Sequence, residues 1–317
     1  MTTLTGAPAY AAEALLRLGA ALKDAGYRFT TVTPATYERV NRRPGSAHGR
    51  SLTDVLGWSR PFGPGVLPDG MVALLEEAGV LQRDGDTWRS LVRCSTYGGD
   101  LFFHSAFPAT APDAVFFGPD TYRTCDAVLA HLSTRPRPPR QVVDVGCGSG
   151  AVAVTVARHV PDAEVTAVDI NPAALRLTTV NAALAGVGDR VTPVRSDLLT
   201  GVDGAFDLIA SNPPFMIDPQ RRAYRDGGGE HGHDLPLAVL DAAVRRLAPG
   251  GSLVLFSGTG VVDGHDPLLA AAAARLAGTD LDWTYREVDP DVYSENLDES
   301  YTHAERIAVA VLTATRR

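Results

Sequence analysis

Val143–Gly150 reads VDVGCGSG and joins a short apolar run to a segment rich in alanine and valine. The run Gln141–Gly146 has the length and composition of a buried strand, and Ala151–Val160 has those of a helix. The glycines between them let a ligand approach the backbone closely, because no side chain stands in the way. The stretch therefore predicts a strand, a glycine turn and a helix that bind a nucleoside-bearing cofactor.

Downstream of this stretch, strands and helices alternate. The further strands are predicted at Glu164–Ile170, Val191–Arg195, Phe206–Ala210, Ser252–Ser257, Leu281–Val288 and Arg306–Thr313. The further helices are predicted at Pro172–Ala185, Leu235–Leu247 and Pro267–Leu276. This alternation predicts an α/β fold with a seven-stranded, mostly parallel sheet covered on both faces. No helix separates the last two strands, so we expect them to pair antiparallel at one edge, with the last strand antiparallel.

The first part of the chain has a different pattern. Helices are predicted at Tyr10–Ala25 and Met71–Ala78, a loop-rich stretch at Thr33–Pro68, and short strands at Val80–Arg83, Thr87–Cys94 and Leu101–Ser105. Helices that lead into a small antiparallel sheet indicate a smaller α+β domain, either winged-helix-like or a small lid. We place the boundary near Pro112, so that residues 1–112 form a substrate-recognition or lid domain and residues 113–317 the cofactor-binding catalytic domain.

The composition narrows the function classes. With 317 residues, 45% of them hydrophobic, the chain is long enough for two moderate domains or one large one. A net charge of -8 disfavours nucleic acid as a partner without excluding a local basic groove. Three scattered cysteines favour a reducing cytoplasm over a disulfide framework or a zinc site. We find no signal peptide and no apolar stretch of membrane-spanning length, so no membrane association is expected.

Three aspartates stand where cofactor groups are expected. Asp144 precedes the glycine turn and can hold a cationic amino group, Asp169 ends the second strand and can accept from both ribose hydroxyls, and Asp197 can take an adenine amino group. The alternatives are a dinucleotide turn of the form G-x-G-x-x-G/A, a helix cap at Asp169 and a turn residue at Asp197. The predicted cofactor residues of these segments are Asp144, Gly146, Cys147, Gly148, Gly150, Asp169, Ile170, Asn171, Asp197 and Leu198.

Three segments, Val142–Gly150, Val165–Pro172 and Asn212–Phe215, resemble motifs of class I S-adenosylmethionine-dependent methyltransferases. More narrowly, they are similar to the HemK-type glutamine methyltransferases and related small-domain nitrogen methyltransferases. Phe117–Tyr122 resembles a variant of that family's Arg-Pro-Glu-Thr-Glu segment, which lies against the cofactor and adds Thr121 and Tyr122 to the predicted site. The resemblance implies a Rossmann-like sheet, S-adenosyl-L-methionine as cofactor and methyl transfer to nitrogen.

Asn212–Phe215, with the sequence NPPF, follows the fourth strand and is the predicted catalytic segment. A planar nitrogen is a poor nucleophile, so it needs hydrogen-bond acceptors that pull its lone pair toward the methyl group. Asn212 and the backbone carbonyl of Pro213 can supply them, Pro213 and Pro214 stiffen the segment, and Phe215 offers a flat face. This scheme requires no general base, and Asn212 also borders the cofactor. The alternative is a turn that merely ends a strand.

The substrate is less well specified than the reaction. The family usually has Tyr where Phe215 stands, and Phe is also common in its nucleic-acid-modifying relatives. We expect the acceptor to be a glutamine or other amide of a protein, or a small metabolite. Tyr224 and Arg225 are candidate substrate-binding residues, no metal is expected, and residues 289–299 either cover the substrate entrance or form a solvated connection. The alternatives are methylation of an RNA base nitrogen, and an enzyme that consumes S-adenosylmethionine by intramolecular cyclisation and releases methylthioadenosine.

Overall fold

The computed structural model describes residues 9–297 and 299–317. Its helices are α1 (Ala9–Asp24), α2 (Pro34–Asn41), α3 (Leu52–Leu56), α4 (Asp69–Glu77), α5 (Pro119–Thr134), α6 (Ala151–His159), α7 (Pro172–Leu184), α8 (Asp234–Arg246) and α9 (Pro267–Leu276). Its strands are β1 (Leu81–Asp84), β2 (Thr87–Ser90), β3 (Val92–Tyr97), β4 (Asp100–Ser105), β5 (Gln141–Val145), β6 (Glu164–Asp169), β7 (Val191–Arg195), β8 (Phe206–Ser211), β9 (Leu247–Val261), β10 (Leu281–Asp289) and β11 (Arg306–Arg316). Residues 1–8, where the N-terminal domain was predicted to begin, lie outside the described residues.

The seven-stranded sheet has the order β10-β11-β9-β8-β5-β6-β7. Neighbouring strands from β9 to β7 run parallel, whereas β11 runs antiparallel to both β9 and β10. The predicted fold class is thus confirmed, including the antiparallel last strand. The last strand, β11, lies between β9 and β10, so β10 forms that edge of the sheet and β7 forms the other.

The N-terminal part contains two helices that were predicted to be loop. Both are short, and local capping defines them: Thr33 Oγ1 accepts from the N–H of Thr36 at the start of α2, and Ser51 Oγ accepts from that of Asp54 at the start of α3. The expected single strand Thr87–Cys94 is also wrong. The chain breaks there into β2 and β3, which belong to two separate hairpins, β1-β2 and β3-β4.

The N-terminal part packs firmly against helix α7. The core that holds α1 and α4 also contains four α7 side chains, Ala173, Ala174, Leu177 and Val180. Asn181 of α7 accepts from the N–H of Phe103 and donates to both the Phe103 and Ser149 carbonyls, at 2.8–3.0 Å. One buried amide therefore ties hairpin β3-β4 to the turn that follows β5.

Among the described residues, no helix is long and apolar enough to cross a membrane.

Candidate active site

Two adjoining cavities open at the carboxyl ends of the parallel strands, the position where α/β sheets bind ligands. The large cavity, of about 190 Å³, is bordered by the turns that follow β5, β6, β7 and β8. The small cavity, of about 60 Å³, continues from it toward the N-terminal part of the chain. Both cavities are lined by Phe116, Asn212, Pro213, Pro214 and Tyr224.

The turn after β5 forms the floor of the large cavity. Gly146, Gly148 and Gly150 all have positive φ, at 71°, 54° and 75°, a region in which other residues are strained. The N–H groups of Gly146 and Cys147 donate to the Val168 carbonyl, at 2.9 and 3.0 Å, which holds the turn against β6. The backbone therefore approaches the cavity without an intervening side chain, as the sequence predicts.

Asp144 is almost fully buried at the end of β5, with 2% of its surface exposed, and lines the large cavity. Its Oδ2 accepts from the N–H of Ala153 in the first turn of α6, at 3.0 Å. Burial raises the pKa of this carboxyl to about 7, and the nearby Asp169 adds to the rise. A cation placed beside Asp144 would relieve the cost of keeping it ionised.

Asp169 borders the large cavity at the end of β6. Its Oδ2 accepts from the N–H of Gly148 in the glycine turn, at 3.0 Å, and its Oδ1 from that of Asn171 after β6, at 2.9 Å, so both oxygens are held in place. Burial raises its pKa, and these backbone donors oppose the rise. The carboxylate is thus fixed in position to accept from ligand hydroxyls.

Most of the other predicted cofactor residues line the same cavity: Cys147, Ile170, Asn171, Asp197, Leu198, Asn212 and Thr121. Ile170 is 54% exposed, an unusual state for a large apolar side chain, and offers an apolar surface to a flat ring. Gly150 borders neither cavity and packs on α7, where an added Cβ would lie 2.8 Å from the Thr178 side chain. Tyr122 also lies outside both cavities. It points from α5 toward the N-terminal part, where its hydroxyl accepts from the N–H of Thr31 at 2.8 Å.

The segment Asn212–Phe215 forms the boundary between the two cavities. Ser211, which precedes it, donates through its hydroxyl to the Val145 carbonyl at 2.7 Å and fixes the end of β8 to β5. The Phe215 ring borders only the small cavity and is 6% exposed. It packs against Gly258, where an added Cβ would come within 2.5 Å of its ring carbons. The ring is therefore held by the sheet beneath it.

The glycines that follow this segment allow the chain to fold back onto it. The N–H of Met216 donates to the Arg225 carbonyl and the N–H of Gly227 to the Met216 carbonyl, at 3.0 and 2.9 Å. At Gly232 an added Cβ would lie 2.4 Å from the Phe215 carbonyl oxygen. These glycines allow the close backbone packing that supports the segment Asn212–Phe215.

The sequence of this chain is similar to those of known proteins. A family model described as the methyltransferase small domain matches residues 112–261. The release factor glutamine methyltransferase of Deinococcus radiodurans is 37% identical over 184 residues, covering 55% of this chain and 61% of that protein. That of Moorella thermoacetica is 31% identical over 208 residues, covering 60% of this chain and 72% of that protein.

This chain belongs to the HemK-like family of release factor glutamine methyltransferases. A ribosomal protein uL3 glutamine methyltransferase of Neisseria meningitidis is also similar, with 32% identity over 123 residues, 36% of this chain and 41% of that protein. The chain spans 48–64% of the length of the first four relatives.

The cofactor of the family, S-adenosyl-L-methionine, is as predicted, and the large cavity fits it. A buried carboxylate at Asp144 suits the amino group, the fixed carboxylate of Asp169 suits the ribose hydroxyls, and exposed Ile170 suits the adenine face. When bound, this cofactor supplies a methyl group on a sulfonium.

The small cavity is bordered by residues that the sequence predicted only in part. Tyr224 lines it, stands parallel to Phe116 at a ring-centroid distance of 6.2 Å, and donates to the Ala109 carbonyl. Arg225 lines it and donates to Asn296 Oδ1. Three lining residues were missed, namely Pro34, Phe116 and Met216. Asp120 was noted only within the Phe117–Tyr122 segment, and Tyr293 only within residues 289–299.

Tyr293 comes from residues 289–299, the connection between β10 and β11, for which a covering role was one of the two expectations. Asp298 of that connection lies outside the described residues. The presence of a tyrosine in this acidic connection could have indicated a lining residue, because a large aromatic ring in a loop usually packs against the protein surface.

Proposed function

We propose that this protein is a cytoplasmic enzyme that transfers a methyl group from S-adenosyl-L-methionine to the side-chain amide nitrogen of a glutamine in a protein. The observation that carries the proposal is that Asn212, Pro213 and Pro214 border both cavities. An acceptor group in the small cavity would therefore contact these residues next to a cofactor in the large cavity. The family membership and the relatives, which are named as glutamine methyltransferases of a release factor and of ribosomal protein uL3, support glutamine as the acceptor.

Each lining residue has a role in this proposal. Asp144 and Asp169 hold the cofactor, and Asn212 with the Pro213 carbonyl accepts hydrogen bonds from the acceptor N–H groups. Phe215, Phe116 and Tyr224 restrict the small cavity to a flat group. Because the cavity is small, only the end of a side chain enters it, and the rest of an acceptor protein stays on the surface.

We also propose that residues 1–112 recognise the acceptor. The support is that Pro34, the first residue of α2, lines the small cavity together with Asn212. The core shared with α7 and the bonds of Asn181 hold this part of the chain against the cofactor site. A fixed wall of this kind suits a protein acceptor better than a lid that opens and closes.

The proposal is tested by incubating the protein with S-adenosylmethionine carrying a labelled methyl group and, separately, a bacterial release factor, ribosomal protein uL3 and total RNA. We expect label in a protein glutamine, and S-adenosylhomocysteine as the second product. Asn212→Ala should abolish the transfer while the cofactor still binds. Gln141→Ala is the matched control, since that amide donates to Glu164 Oε2 at the amino end of β5 and borders neither cavity.

The alternatives give distinct results in the same assay. Label in RNA would point to a base nitrogen as the acceptor, which the net charge of -8 disfavours. Methylthioadenosine in place of S-adenosylhomocysteine would point to cyclisation of the cofactor's aminobutyryl chain.

A further inference from the structure

Asp120 places a buried carboxyl group in the wall of the small cavity. It is 3% exposed and lies in the first turn of α5, where the helix N-terminus favours a negative charge. Its Oδ2 accepts a hydrogen bond from the Tyr293 hydroxyl. Its Oδ1 lies 3.8 Å from Arg123 Nη1, beyond hydrogen-bonding distance. One oxygen is therefore held by a hydrogen bond, and the other forms only a long ion pair with Arg123.

The groups that face Asp120 come from every element around it. Arg123 lies on α5, Arg225 follows β8, Asp289 ends β10, and Tyr293 lies in the connection to β11. Burial raises the pKa of Asp120 to about 6 and Asp289 adds to the rise, whereas the Tyr293 hydrogen bond, Arg123 and Arg225 lower it. Asp120 is therefore ionised at neutral pH and remains basic enough to accept a proton.

Tyr293 is fixed by its surroundings. Its backbone has a φ of 54°, a strained value for a residue with a side chain, and its ring centroid lies 6.5 Å from that of Phe215. The connection that carries it is anchored at both ends, by Arg123 to Asp289 at 2.6 Å and by Arg225 to Asn296. Strain that persists in a well-anchored loop indicates that the loop serves to place this hydroxyl on Asp120.

We propose that Asp120 is a catalytic residue that accepts the proton lost by the acceptor nitrogen, and that Tyr293 is a positioning residue that holds its carboxylate. This inference rests on the proposed function, because it concerns an acceptor seated beside Asn212. It adds a base to a reaction for which the sequence indicated none.

The proposed step is balanced in atoms and charge. The lone pair of the acceptor nitrogen forms the new N–C bond, and the S–C bond breaks with its electron pair going to sulfur. One N–H proton of the resulting cationic nitrogen passes to Asp120 Oδ1, which later releases it to water. The carboxylate thereby neutralises the positive charge that forms on the acceptor nitrogen beside it.

The test measures kcat against pH at saturating cofactor, with the acceptor identified by the labelling assay. The wild-type protein should lose activity as the pH falls through about 6, because protonated Asp120 cannot accept a proton. Asp120→Asn should lower kcat by about 10²- to 10⁴-fold, remove this inflection and leave the dissociation constant of the cofactor unchanged.

Tyr293→Phe removes only a hydroxyl and should move the inflection to higher pH, because the carboxylate loses a donor that stabilises it. Tyr285→Phe is the matched control. Its hydroxyl donates to Asp266 Oδ2 at 2.6 Å, a second tyrosine–aspartate pair whose residues border neither the large nor the small cavity. This variant should keep the wild-type kcat and inflection.

A readout independent of activity is the carboxyl ¹³C resonance of Asp120, assigned by its loss in Asp120→Asn. It should titrate near pH 6 in the wild-type protein and at higher pH in Tyr293→Phe. A wild-type kcat and pH profile in Asp120→Asn would overturn the inference while leaving the proposed function intact. If the wild-type protein transfers no methyl group to any acceptor, the proposed function fails and the inference fails with it.

Discussion

Replacing Asp144 by Asn should make the protein more stable and its cofactor binding weaker. The carboxyl is 2% exposed, and its pKa is raised from an ordinary value near 4 to about 7. A carboxyl whose pKa is higher in the folded state than in the unfolded state binds protons more tightly when folded. The Asp144 carboxyl therefore stabilises the folded protein fully below pH 4, and this stabilisation is lost as the pH rises through about 7.

The size of the effect follows from the shift. A rise in pKa from near 4 to about 7 corresponds to a loss of up to about 4 kcal/mol in the free energy of unfolding between pH 4 and pH 8. The amide introduced by Asp144→Asn would carry no charge, yet its oxygen can still accept from the N–H of Ala153, as the carboxylate does at 3.0 Å. The variant should therefore show none of this loss, while other titrating groups contribute equally to both proteins.

The assay is urea unfolding of both proteins without cofactor at pH 5 and pH 8.5. We expect Asp144→Asn to be the more stable protein at pH 8.5 by a few kcal/mol, with a much smaller difference at pH 5. Calorimetry with S-adenosylmethionine at pH 8.5 should show binding weakened by about 10- to 100-fold, because a charged hydrogen bond is lost. Equal stability at pH 8.5, or unchanged cofactor affinity, would refute the reasoning.

Two glycine substitutions test the geometry of the two cavities. Gly148→Ala should cost about 1 kcal/mol of stability and weaken cofactor binding, because it adds a side chain at a φ of 54° in the turn. Gly186→Ala is the control, since Gly186 has a φ of 71° and lies outside both cavities. It should lose similar stability but keep the wild-type cofactor affinity. Gly258→Ala should lower kcat, because its Cβ would come within 2.5 Å of the Phe215 ring and displace it. Gly70→Ala, whose Cβ would have no atom within 4 Å, should have wild-type activity. Unaltered activity in Gly258→Ala would contradict a role for the Phe215 ring.

The cofactor side of the site could be predicted because its determinants are local. The glycine turn, Asp144 and Asp169 lie at the ends of adjacent strands, and parallel strands bring their carboxyl ends together whatever the rest of the chain does. Tyr122 does not border the large cavity, and the sequence could not indicate this because it predicts a helix there but not which side of α5 faces the cavity. Thr121 of the same turn does face it.

The acceptor side depends on contacts between distant parts of the chain. Asp120 and Tyr293 are separated by 173 residues, and no local pattern predicts that their side chains meet. The same holds for Pro34, which reaches the small cavity only because the N-terminal part packs on α7. Helices α2 and α3 were missed for another reason, since short helices depend on single capping side chains more than on apolar periodicity.

The most direct test of the central claim is mass spectrometry of a bacterial release factor after incubation with this protein and S-adenosylmethionine. The account predicts the added mass of one methyl group on a single glutamine-containing peptide, with fragmentation that places it on the side-chain amide and no addition when Asn212→Ala is used. A release factor that stays unmodified, while the label appears in RNA or the cofactor is converted to methylthioadenosine, would contradict the account.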